Sequence, residues 1–158
     1  MIVRRYLLDT NILSAVIKNP QGMAAARILA KTPEIIFTSI VVAAEMRFGV
    51  AKKNAEVLAA RVDALLEHIT VLALDRDADR HYGRIRTALE REAKLIGGND
   101  LSIAAHALAL NAVLVTANVG EFKRVKGLKL ENWLVAWMPS RSCARGLRIR
   151  TEGLTPSA

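Results

Sequence analysis

Cysteine is almost absent from this 158-residue chain: Cys143 stands alone. One thiol closes no intramolecular disulfide and builds no cysteine-rich zinc site, and it fits a reducing compartment. Aromatic residues make up only 4%, which argues against readers that stack bases on a displayed aromatic sheet. Long apolar runs are missing as well. The most apolar stretches, 35–44 and 103–117, are broken by Thr38 and Ser39 and by His106, Asn111 and Thr116. Neither reaches the roughly 18–20 residues of a membrane span. The start, Met1-Ile2-Val3-Arg4-Arg5, runs straight into Tyr6-Leu7-Leu8 without the h-region or cleavage site of a secretory leader. The expectation is a cytoplasmic protein with no membrane partner.

What is present is an ordinary globular composition, 52% hydrophobic and 24% charged. At about 150 residues per domain one domain is expected, large enough to bury roughly 70% of its unfolded surface. The formal net charge is +8, which points to polyanionic partners. From Leu134 onward the chain holds four Arg and one Glu and shows no amphipathic period. It therefore divides into a compact domain, 1–133, and a mobile basic tail, 134–158.

Short apolar runs at 4–8, 34–38, 70–74, 112–116 and 128–131 read as strands covered on both faces. Helical stripes lie between them at 54–69 and 78–95, with Asp9 poised to open another over 11–18 and Ser39 one that carries Glu45. The segment 101–110 is almost wholly apolar, a central helix in which His106 is a core histidine. This alternation predicts an α/β fold: a central parallel sheet of about five strands flanked by helices on both faces.

In such sheets ligands sit at the carboxyl ends of strands. Asp9 follows Tyr6-Leu7-Leu8 directly, and it either caps the next helix or faces the crevice. Glu45 projects from the apolar run Ile40-Val41-Val42-Ala43-Ala44 and needs a cation, a donor or a cleft, because an unpaired buried carboxylate costs several kcal/mol. An ion pair with an arginine is the alternative. Asp100, after Gly97-Gly98-Asn99, is a helix-start acid or a ligand. Asn118 and Glu121 follow the strand at 112–116, as turn residues or as part of the same crevice. Two carboxylates about 5 Å apart repel by roughly 3 kcal/mol at an effective dielectric near 20. Several in one cleft call for a hard cation, and Mg²⁺ (or Mn²⁺) with oxygen ligands fits. His68, His81 and His106 lack zinc-type spacing.

With these residues located, the sequence resembles the VapC-type PIN-domain ribonuclease toxins of type II toxin–antitoxin pairs. The likeness is carried by Leu7-Leu8-Asp9-Thr10-Asn11-Ile12-Leu13, Ala44-Glu45-Met46-Arg47-Phe48-Gly49 and Gly98-Asn99-Asp100-Leu101-Ser102-Ile103-Ala104-Ala105-His106-Ala107. It continues through Leu114-Val115-Thr116-Ala117-Asn118, Glu121-Phe122 and Gly127-Leu128-Lys129-Leu130-Glu131-Asn132-Trp133. The resemblance implies a PIN-like three-layer fold. It makes Asp9 and Asp100 the Mg²⁺ ligands, Glu45 and Glu121 the rest of the acidic pocket, and Thr10 and Asn118 its hydrogen-bonding support. It further implies hydrolysis of structured or loop RNA (tRNA or rRNA) by a metal-activated water, leaving a 5′-phosphate and a 3′-OH. Arg84, Arg86, Arg91, Lys94, Lys123, Arg124 and Lys126 are the cations available to hold the RNA backbone. Gly120 stands where many members of the family carry a basic residue. A cognate VapB-like antitoxin and a homodimer are the implied partners, with operator DNA reached only through the antitoxin complex.

Other readings exist. A structure-specific DNA nuclease shares an acidic pocket but is generally longer. An aspartyl phosphatase would need an acid at position 11, where Asn11 stands. A non-catalytic module that joins an antitoxin and sits on DNA would not need all four acids.

Overall fold

A computed structural model describes residues 3–136; the predicted tail lies outside the described residues except for its first three. Five strands form one parallel sheet: β1 (Tyr6–Leu8), β2 (Ile36–Ser39), β3 (Thr70–Leu72), β4 (Val113–Val115) and β5 (Lys129–Glu131). They lie in the order β3-β2-β1-β4-β5. Register pairs Leu7 with Phe37 on one side and with Leu114 on the other. The three inner strands are buried at every position, while β3 and β5 each begin with an exposed residue. Burial on both faces is what turns the inner strands into unbroken apolar runs.

Seven helices complete the described part: α1 (Thr10–Lys18), α2 (Met23–Leu29), α3 (Ile40–Lys53), α4 (Glu56–His68), α5 (Arg76–Arg91), α6 (Gly98–Ala109) and α7 (Val119–Phe122). Caps set several boundaries. Ser39 accepts from the Val41 amide at the start of α3, and Asp75 accepts from Asp77 and Ala78 at the start of α5. That cap starts α5 two residues ahead of the predicted 78. The helix ends where Ala93 turns left-handed at φ 53° and Lys94 N–H donates back to the Leu89 carbonyl, a closure that stops it short of 95. The predicted strand at 34–38 is corrected at its start. Pro33–Ile35 makes one 3₁₀ turn, because the fixed φ of proline favours the first helical position.

The core runs along the sheet on both sides. Leu7, Leu8, Leu114 and Val115 pack against α1 residues Ile12 and Leu13 and against α6, where Ile103, Ala104 and Ala107 are wholly buried. His106 is buried too, as expected for a core histidine. Trp133 stacks at a tilt on Tyr6, with centroids 5.2 Å apart, and Lys31 stands over both rings. Arg27 donates to the carbonyls of Asn132 and Val135, so the segment after β5 is tied back onto α2.

Candidate active site

Strand order reverses between β1 and β4: the chain builds outward from β1 through β2 to β3, then returns to the other side. A crevice opens at the carboxyl end of a sheet at such a switch point. Asp9 stands there, at the end of β1, with its amide donating to the Val115 carbonyl of β4 at 3.0 Å. The residue is only 4% exposed. One oxygen accepts from the Thr10 amide (2.8 Å); the other accepts from Asn11 Nδ2 (2.9 Å) and Thr116 Oγ1 (2.7 Å). Asp9 is thus both the N-cap of α1 and a wall of the crevice.

The other three acids approach from different elements. Glu45, half-buried on α3, accepts from Thr10 Oγ1 (2.5 Å) and Asn99 Nδ2 (3.0 Å). Asp100 occupies the first turn of α6. Glu121, in α7, accepts from Asn118 Nδ2 (2.8 Å) and weakly from the Gly97 amide (3.4 Å). Among the described residues none of the four forms an ion pair. The alternative of an arginine ion pair for Glu45 is therefore not found there.

Burial, and to a lesser degree mutual repulsion, shifts the acidities. Burial pushes the Asp100 carboxyl up to about 6, with Asp9, Glu121 and Glu45 adding to the shift. Burial also raises Asp9; the bonds from Thr116 and Thr10 oppose the rise, and Glu45 adds to it. An acid raised by its neighbours is one that a cation would relieve. The donor set is all oxygen, which suits a hard divalent ion. Among the described residues no three acids already stand as a closed ligand cage. Two carboxylates completed by water is, however, the arrangement Mg²⁺ commonly takes. Asp9 and Asp100 fit that role, since they come from facing elements and Asp100 carries no hydrogen bond that would hold its charge.

Four contributors escaped the sequence reading: Asn11, Thr116, Asn99 and Gly97. Asn11 donates to Asp9 and Thr116 and accepts from the Ala117 amide (2.8 Å). Thr116 also accepts from the Asn118 amide at 3.0 Å. A signal existed. Thr116 is a hydroxyl directly after the apolar strand β4, and Asn11 is an amide in the first turn of α1.

The cations divide. Arg86 pairs with Glu90, and Lys94 and Lys126 both pair with Glu92. Arg84 leans on His81, and Arg124 donates to the Leu95 carbonyl at 3.1 Å. Arg84, Arg124 and Lys126 nevertheless share one cavity of about 250 Å³ beside α5. Arg91 and Lys123 are exposed. The predicted set is therefore not one patch.

The PIN domain family matches residues 6–128. Ribonuclease VapC2 of Rickettsia felis is 43% identical over 131 residues, which cover 81% of this chain and 97% of that protein. The tRNA(fMet)-specific endonuclease VapC of Shigella flexneri is 33% identical over 130 residues, covering 82% and 98%. Among solved structures, DNA-bound VapBC from Salmonella typhimurium superposes with a TM-score of 0.78 at 32% identity, covering 83% of this chain and 99% of that one. With its acids on the carboxyl edge of a five-stranded parallel sheet and these relatives along most of its length, the chain belongs to the PIN-domain family, among the VapC ribonucleases.

Proposed function

We propose that this protein is an Mg²⁺-dependent endoribonuclease, the toxin of a toxin–antitoxin pair, with Mn²⁺ able to substitute. The observation that carries the reading is the convergence of Asp9, Glu45, Asp100 and Glu121 at the switch point with no ion pair to any of them among the described residues. A cation held by Asp9 and Asp100 would acidify a water and offset charge on the phosphoryl oxygens. Glu45 and Glu121 are the carboxylates left to accept a proton from the attacking water. Thr10 and Asn99 fix the first; Asn118 and the Gly97 amide fix the second. In-line attack at phosphorus breaks the bond to O3′ and leaves a 5′-phosphate and a 3′-OH. Arg84, Arg91, Lys123 and Arg124 supply backbone affinity that the acids themselves oppose.

Structured or loop RNA is the proposed substrate, with tRNA the first to test because the Shigella flexneri relative is a tRNA(fMet)-specific endonuclease. A VapB-like antitoxin is the proposed partner, in line with the VapBC assemblies among the solved relatives. Homodimer formation, contact with operator DNA only through the antitoxin complex, and action in the cytoplasm complete the reading. No helix among the described residues is long and apolar enough to cross a membrane.

The test pairs binding with cleavage. Mg²⁺ should raise the melting temperature of the wild type, and Asp9→Asn or Asp100→Asn should abolish most of that rise. Induced expression should create new RNA 5′ ends with wild type and none with Asp9→Asn. An equal metal shift in all three proteins would reject the ligands. Equal cutting of duplex or flap DNA would favour a DNA nuclease.

A further inference from the structure

Five polar or charged side chains are buried among the described residues: Asp9, Thr38, Ser39, His106 and Thr116. Asp9 and Thr116 are bonded within the acidic crevice, and Thr38 Oγ1 donates to the Leu8 carbonyl at 2.7 Å. The remaining two bind one another, Ser39 Oγ to His106 Nδ1 at 2.9 Å. Buried polar groups are costly unless paired, whereas an apolar pair of the same shape is nearly neutral for stability. Stability alone gives little reason for this pair.

Its position gives one. Ser39 ends β2 and caps α3, six residues before Glu45; His106 lies on α6, six residues after Asp100. The Ser39–His106 bond ties the root of α3 to the middle of α6. Nearer the crevice, Asn99 of α6 donates to Glu45 of α3 at 3.0 Å. Two attachments at separate heights prevent α6 from sliding or rolling along α3 without breaking a bond. Ser39 Oγ already accepts from the Val41 amide at 3.2 Å, so its proton is free for the imidazole. Burial lowers the pKa of His106, with Asp75 opposing, which favours the neutral ring that can accept.

We infer that His106, acting through Ser39, is a positioning residue that sets the register of α6 against α3 and hence the placement of Asp100 relative to Glu45. The inference rests on the reading of those acids as the metal-holding centre. Misplacement by about 1 Å can cost on the order of a hundredfold in rate, so a slackened joint should be readily measured.

The experiment compares His106→Leu, which removes the bond, with His106→Asn, whose amide places an acceptor near the position of Nδ1. Ser39→Ala breaks the same joint from the other side if His106→Leu does not fold. Mn²⁺ affinity of each folded protein is read by electron paramagnetic resonance without RNA, and kcat and KM are read with RNA. Expected for His106→Leu and Ser39→Ala is a kcat reduced about tenfold or more and a several-fold weaker Mn²⁺ affinity, with KM within about twofold of wild type. His106→Asn should recover most of both losses. Wild-type kcat and Mn²⁺ affinity in a folded His106→Leu or Ser39→Ala protein would overturn the inference, as would a folded His106→Asn that rescues neither. Wild-type RNA cleavage bears on the proposed function; the contrast among variants bears on the joint, and its Mn²⁺ arm needs no cleavage.

Discussion

At the scale of single residues, the site is organised by hydroxyls and amides as much as by acids. Thr116, fully buried, donates to Asp9 at 2.7 Å and accepts from the Asn118 amide. Thr116→Val keeps the shape and removes the hydroxyl, leaving a buried carboxylate and an amide short of partners. The expected loss is about 2 kcal/mol of stability, measured by urea unfolding. Asp100 gives a pH signature. Its folded value of about 6 lies above the ordinary 3.8, so the folded chain keeps this proton where the unfolded chain has released it. The group's contribution to stability therefore falls as pH rises from about 3.8 to about 6 and stays lost above that. Relative to Asp100→Asn, wild type without metal should lose melting temperature between pH 4.5 and 7. The same proton competes with the ion, so Mg²⁺ affinity should weaken by about tenfold for each pH unit below 6. An affinity flat from pH 7 to 5 would remove Asp100 from the ligand set. All four acids were legible in the sequence because each follows a strand or opens or rides a helix. Thr116 and Asn11 left only a faint trace, a polar residue beside an apolar run, and Asn99 and Gly97 left none, because each acts through a partner brought in by folding.

At the scale of elements, the five strands and most helices followed from periodicity and caps. Asp75 is a clean case: it accepts from two amides of the first turn of α5. Asp75→Ala should cost about 1 kcal/mol, seen as a lower urea midpoint, with the Mg²⁺ response unchanged because α5 carries no acid of the crevice. An altered metal response would tie α5 to the site. Helix α2 has no strong signal in the sequence. Its seven residues, Met23–Leu29, follow a glycine N-cap without a side-chain cap, and a helix so short is marginal in isolation. It forms because Ala24 and Ala25 are buried and Arg27 reaches the segment after β5. Tertiary packing makes that helix, so local sequence carries little trace of it.

At the scale of the whole molecule, a net charge of +8 coexists with a knot of acids that make no ion pair among the described residues. RNA affinity has to arise on surfaces around that knot, and the cations committed to Glu90 and Glu92 are less available for it. Gly120 offers a test. A side chain built there meets nothing within 4 Å, next to Glu121 of the crevice. Gly120→Lys should lower KM for RNA severalfold and steepen the salt dependence by about 0.7 in the log–log slope for single-stranded substrate, read by fluorescence anisotropy across a salt series. An unchanged slope would mean that the RNA backbone does not pass this corner.

Local sequence alone sets the secondary-structure alternation, the parallel sheet and the identity of the acids. Apolar runs, cap residues and strand-end carboxylates are local signals, and local physics produces them. Folding alone brings Asp9, Glu45, Asp100 and Glu121, drawn from four elements across more than a hundred residues, into one crevice with no ion-pair partner among the described residues. It also decided which cations are already paired, and that His106 reaches Ser39. Coulomb energy, burial and hydrogen bonding depend on distance in space, and spacing along the chain does not contain that distance until the sheet order brings β1 and β4 side by side.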